Sequence, residues 1–216
     1  MNRISVVVFA LLLAACGGSS GGSGSQQQQQ QDTSAQSVAS SSGDFPSLSK
    51  CPESGSWDSY LTAEQTKDPT QYSTDKGDWD GLKAAGANDS YVAVYAESSS
   101  GCGNFGTDTP TGKAVDIYAV RFKDESSAAA NYKASSKDFH LSDSDLQNIT
   151  AAGGKVQQGS ATGLGTNSVA VELAVPGTSF YIAFWQNKKF EVAMIAYNLA
   201  VNDGEAAAKT VNGRIK

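Results

Sequence analysis

The sequence predicts an α+β domain: an antiparallel sheet, made of a C-terminal three-strand meander plus two earlier strands, with helices packed on one face. Three observations predict it. Runs of strictly alternating apolar residues recur through the second half of the chain. The last three runs are separated by joints of only three residues. Segments of helical composition directly follow two of the runs. Alternation is the period of a half-buried strand, and recurrence every three to four residues is that of a helix. Joints this short connect antiparallel neighbours, because a parallel pair needs a crossover of about a dozen residues.

Tyr91–Glu97 puts Tyr91, Ala93 and Tyr95 on one side and Val92 and Val94 on the other. Val115–Lys123 alternates Val115, Ile117 and Ala119 against Asp116, Tyr118, Val120 and Phe122. Ser168–Val175 lines up Val169, Val171, Leu173 and Val175. Ser179–Gln186 sets Phe180, Ile182 and Phe184 opposite Tyr181, Ala183 and Trp185. Phe190–Tyr197 continues with Phe190, Val192 and Met194. Pro176-Gly177-Thr178 and Asn187-Lys188-Lys189 carry the turn chemistry that joins these last three strands. If Phe180, Ile182 and Phe184 face the core, Tyr181 and Trp185 face away from it. They then lie under a helix or form a candidate face for a protein, glycan or apolar ligand.

Helix signals begin at Asp124, a candidate cap for a helix over Asp124–Lys137, with Ala128 and Tyr132 four residues apart. Asn202–Lys216 has Asn202 and Glu205 at capping-box spacing, and Ala207, Val211 and Ile215 form a stripe suited to lie on the sheet. A shorter helix runs from Ser142 through Ile149. The strand-then-helix layouts at 115–137 and 190–216, each with an alanine triplet, hint at internal repetition. Residues 52–90 read as mostly irregular, with one short helix around Tyr60–Thr66.

The chain's 16 basic and 22 acidic residues give a net charge of −6, which argues against nucleic-acid binding through a broad basic surface. One histidine and three cysteines leave little for a zinc site, and no metal or cofactor is expected. Gly101-Cys102-Gly103-Asn104-Phe105-Gly106 has G-x-G-x-x-G spacing, but loop residues follow where a dinucleotide site needs a helix to begin. His140, the single imidazole, would have to serve any Ser-His-Asp or Cys-His site. It falls at a helix-to-loop joint, and no G-x-S-x-G elbow exists, so no catalytic residue is assigned. Acidic residues concentrate in 53–116, eleven against four lysines. There Asp75-x-x-Asp78-x-Asp80-Gly81 is a fragment of a calcium loop without its register, as is Asp143-x-Asp145.

The N-terminus reads MNRISVVVFALLLAAC: Arg3, then twelve uncharged residues over Ile4–Ala15, all apolar but Ser5, then Leu13-Ala14-Ala15-Cys16. Such a run is too short to span a bilayer and suits an export signal. Over about its first 20 residues the chain resembles bacterial lipoprotein precursors, whose signature is a Leu-small-small-Cys box. The resemblance implies cleavage after Ala15 and acyl chains on Cys16. The partner it implies is a membrane, either the cell membrane or an outer membrane, with the domain on the extracytoplasmic side. Gly17 in place of Asp favours outer-membrane sorting where a second membrane exists.

Residues 17–45 are rich in Gly, Ser and Gln, a composition that predicts a disordered tether with a reach of about 30 Å, followed by one domain at 46–216. In an exported chain the remaining cysteines, Cys51 and Cys102, read as a disulfide closing a loop of about 50 residues, worth roughly 4 kcal/mol in the chain-entropy model. These readings point to a lipid-anchored binding or envelope-associated module of unidentified ligand. The alternative is a carboxylate-dependent hydrolase of envelope polymers, for which two carboxyls about 5–9 Å apart in a concave site would be the mark.

Overall fold

The computed structural model describes residues 33–103, 112–135, 143–175 and 177–216. Its centre is a seven-stranded, wholly antiparallel sheet in the order β1-β2-β3-β7-β6-β5-β4. The strands are β1 (Ser49–Lys50), β2 (Ala87–Ala96), β3 (Ala114–Phe122), β4 (Lys155–Gln158), β5 (Asn167–Val175), β6 (Thr178–Asn187) and β7 (Phe190–Tyr197). The five predicted strands are those at the centre. The two missed, β1 and β4, are short edges whose few residues carry no alternation to read. The helices are α1 (Ala35–Ala39), α2 (Trp57–Lys67), α3 (Pro69–Ala84), α4 (Ser99–Gly103), α5 (Glu125–Ser135), α6 (Asp143–Ala151) and α7 (Val201–Gly213). A 3-10 turn covers Gly159–Thr162.

The α+β class and the antiparallel sheet are as expected, but the helices cover both faces. The central strands are apolar on both sides, so either side left bare would expose Val, Phe and Trp to water. On the first face Tyr91, Ala93, Ile117, Ala119, Trp185, Val192 and Met194 are buried beneath α1 and α7. On the second, Val92, Val94, Val120 and Phe122 are buried beneath α2, α3 and α5. In α5, Asp124 accepts the Ser127 N–H at 2.7 Å as the expected cap, and Tyr132 stacks on Phe184 at 4.9 Å. Because α5 and α7 sit on opposite faces, the two strand-then-helix segments that look alike in sequence are not laid out alike in space.

Three expectations are corrected here. The ordered fold starts before Pro46: Ser34 caps α1, whose Ala35, Val38 and Ala39 are fully buried, and Phe45 packs on Tyr95 at 4.9 Å. Arg214, past the end of α7, grips this segment through the Asp44 carboxylate and the Val38 carbonyl. Composition predicted a coil there, but a few small apolar residues suffice once a sheet face awaits them. Residues 52–90 are mostly helical rather than irregular. Helix α7 starts from Ala200 with no side-chain cap, so Asn202 lies inside its first turn. The buried stripe of α7 is Gly204, Ala208 and Val211, and Ile215 is buried just past its end.

Candidate functional site

Helices α2 and α3 form a hairpin whose inner side carries acids. Ser56 starts α2 by accepting the Ser59 N–H at 3.2 Å. Asp68 then ends α2 and starts α3, its Oδ1 accepting from the N–H groups of Thr70 and Gln71 at 3.0 Å each, with Pro69 in the first turn. From α2, Trp57, Tyr60 and Leu61 point inward and Glu64 continues their row. From α3, Asp75, Asp78, Trp79 and Leu82 do so. Beneath them β3 offers Asp116 and Tyr118. Trp57 and Trp79 stack at 5.5 Å, and Tyr118 sits 5.7 Å from Trp57 and 6.4 Å from Tyr60, edge-on.

The polar groups within this shell are short of donors. Tyr60 donates to Glu64 Oε1 at 3.2 Å, Gln71 to Asp75 Oδ1 at 2.7 Å, and the Trp79 indole to Asp58 at 2.9 Å. Glu64 and Asp75 are near enough for the Asp75 charge to favour the protonated form of Glu64. Asp78 Oδ2, Glu64 Oε2 and Asp116 Oδ1 are buried with no hydrogen-bond partner, and Asp116 as a whole is 2% exposed. Lys67 pairs with Glu53 at the rim, at 3.6 Å, while Lys76 and Lys83 pair with Asp80 on the outer side of α3. Among the described residues no cation faces the four inner carboxyls.

Burial with no counter-charge favours the protonated forms. It pushes Glu64 up to about 8, helped by the facing Asp75 and opposed by the Tyr60 hydroxyl. Burial raises Asp75 too, and with the Asp75 charge it lifts Asp78 to about 7. Asp116 rises well above the ordinary carboxylate range through burial and then through Glu53. Burial and these acids together raise Tyr60 and Tyr118. A separate buried acid, Glu191 on β7, accepts from Asn131 of α5 at 3.0 Å and is raised by burial to about 8.

Among the described residues the one group of three metal-binding atoms within 4.8 Å of each other is Cys51, Glu53 and Cys102, and both sulfurs belong to the disulfide. Positions 75, 78 and 80 of the calcium-loop fragment lie on a helix, which turns the first two inward and Asp80 out to its lysines. A shallow groove of about 340 Å³ at the β6–β7 turn, lined by Leu164, Asn167, Gln186, Lys188 and Asn212, brings no perturbed group together.

The other predicted positions fall as follows. Cys51 and Cys102 are bonded, their Cα atoms 5.5 Å apart. Tyr181 and Trp185 do not form an exposed face: they are 2% and 0% exposed beneath α7, which Gly204 lets approach so closely that a Cβ there would lie 2.7 Å from that of Tyr181. On β6, Phe184 is buried as expected, while Phe180 and Ile182 are only half-buried. Cys16, His140, the 104–106 part of the glycine motif and the side chains of Asp143 and Asp145 lie outside the described residues. Sequence reading missed Glu64, Asp78, Asp116 and their tyrosines as a group. The signals were an Asp-Pro helix start at 68–69 and acids at helical spacing beside Tyr60 and Trp79.

No family model and no curated protein matches the chain. Its structure is similar to the crystal structure of the extracellular domain of PknH from Mycobacterium tuberculosis, over 63% of this chain and 69% of that one. At 14% identity and a TM-score of 0.40, that likeness is too loose to carry function from one to the other.

Proposed function

We propose that this protein is a lipid-anchored, extracytoplasmic binding or envelope-associated module, held to its membrane by acyl chains on Cys16. The observation that carries the reading is the pairing of Cys51 with Cys102, which leaves Cys16, inside Leu13-Ala14-Ala15-Cys16, as the chain's one unpaired cysteine. A disulfide persists where the surroundings oxidise thiols, which is where a lipoprotein signal delivers a chain. Among the described residues no helix is long and apolar enough to cross a membrane; in this reading the acyl chains provide the attachment. Each buried methylene contributes about 0.8 kcal/mol, and two or more chains hold stably. With α1 docked, the spacer reduces to 17–32, whose composition gives a reach of about 22 Å.

Intact-mass analysis of the detergent-extracted protein tests the reading. The expected species begins at Cys16 and carries acyl mass, and Cys16→Ser is expected to move the protein out of the membrane fraction. An unmodified Cys16, or unchanged fractionation of the variant, overturns it.

A further inference from the structure

The α2–α3 hairpin is built to respond to protons. Its helices pack more against each other than against the sheet, which they meet along β2. They join it through two short connections, residues 51–56 beside β2 and the Ala85-Gly86 joint, where Gly86 has φ +105°. The disulfide holds the base of the first connection, leaving the far end, where α2 turns into α3, without such a tie. Between hairpin and sheet lie Glu64 from α2, Asp75 and Asp78 from α3 and Asp116 from β3. The titratable groups facing them are Tyr60 on α2, Asp68 at the helix joint, Tyr118 on β3, Tyr197 on β7 and Glu53 beside the disulfide. All of these are acids or phenols, so nothing facing the cluster supplies positive charge among the described residues. A closed hairpin therefore needs protons on these carboxyls, and ionisation places like charges in one dry layer.

We infer that α2–α3 is a proton-operated flap, closed on β2 and β3 when Glu64, Asp75, Asp78 and Asp116 are protonated and released when they ionise. Release bares the Trp57–Trp79 stack and the strip Val92, Val94, Val120 and Phe122 beneath it. The ligand sensed is the proton itself. The inference does not depend on the lipid anchor.

Hydrogen–deuterium exchange of the full chain at about pH 5.5 and about pH 8.5, corrected for intrinsic exchange, tests it. Exchange over 57–84 is expected to quicken at least about tenfold at the higher pH, while α7 and β6 hold steady. Acrylamide quenching gives a second readout, because Trp57 and Trp79 lie on the inner side of the flap and Trp185 lies in the other core. In Glu64→Gln/Asp75→Asn the pH dependence is expected to shrink. Equal protection of 57–84 at both pH values in the unaltered protein overturns the inference. So does a loss of protection shared evenly by the whole domain, or a variant that folds and keeps the full pH dependence.

Discussion

Beneath α1 and α7 the sheet presents Tyr91, Ile117, Trp185 and Met194. Beneath α2, α3 and α5 it presents Asp116, Tyr118 and Glu191 among its valines. The same strands supply both faces, because alternate residues point opposite ways. The first face is held by shape: Gly204 lies against Tyr181, and small alanines separate the large rings. The second is held together by a disulfide and by tryptophan stacking, yet it encloses carboxyls that favour closure only while neutral. Apolar packing is indifferent to pH and buried acids are not, so one sheet carries a constant side and a conditional side.

The comparison breaks most visibly at Trp185. Trp185→Ala is expected to destabilise the domain by about 3–5 kcal/mol, equally at pH 5.5 and 8.5, in guanidinium unfolding. A loss that varied strongly with pH would mean that the faces are not separable. Next comes Cys51→Ala/Cys102→Ala, expected to remove up to roughly 4 kcal/mol and to loosen α2–α3 before α7 in exchange measurements. Gly204→Ala forces a methyl against Tyr181 and is expected to lower stability by about 1–3 kcal/mol on the first face alone.

Smaller effects sharpen the contrast on the second face. Glu64 and Glu191 both rise to about 8 in the folded chain against an ordinary value near 4.3. The folded state thus binds more protons than the unfolded one across that interval. Stability is full below about pH 4, falls as pH climbs to about 8, and levels off above it. Glu191→Gln keeps a side chain able to meet Asn131 and cannot ionise. It is expected to leave stability near pH 5 unchanged and to raise it near pH 8.5, which thermal unfolding at both pH values would show.

Much of the first face was legible in the sequence. Tyr91, Ala93, Tyr95 and then Val115, Ile117, Ala119 alternate cleanly, and short turns forced the meander into antiparallel order. The second face hid because its helices break the apolar code. On α3 the inward row reads Asp75, Asp78, Trp79, Leu82, so half of it looks like surface, and 52–90 passed for loop. β6 misled for the opposite reason: both of its sides are apolar, and the alternation could not say which rings α7 would cover. Docking of 33–45 was invisible because Ala35, Val38 and Ala39 carry too little hydrophobic signal until a partner surface exists.

The grip of Arg214 on Asp44 and on the Val38 carbonyl stitches the two ends of the described chain together. Tension entering at Ser34 therefore meets a short helix tied to β2 by the Ala35 N–H on Asp89 and by the Ser40–Tyr95 hydroxyls, and clasped from the far end by Arg214. On the lipid-anchored reading, undocking of α1 would lengthen the spacer by about a dozen residues at up to roughly 3.5 Å each.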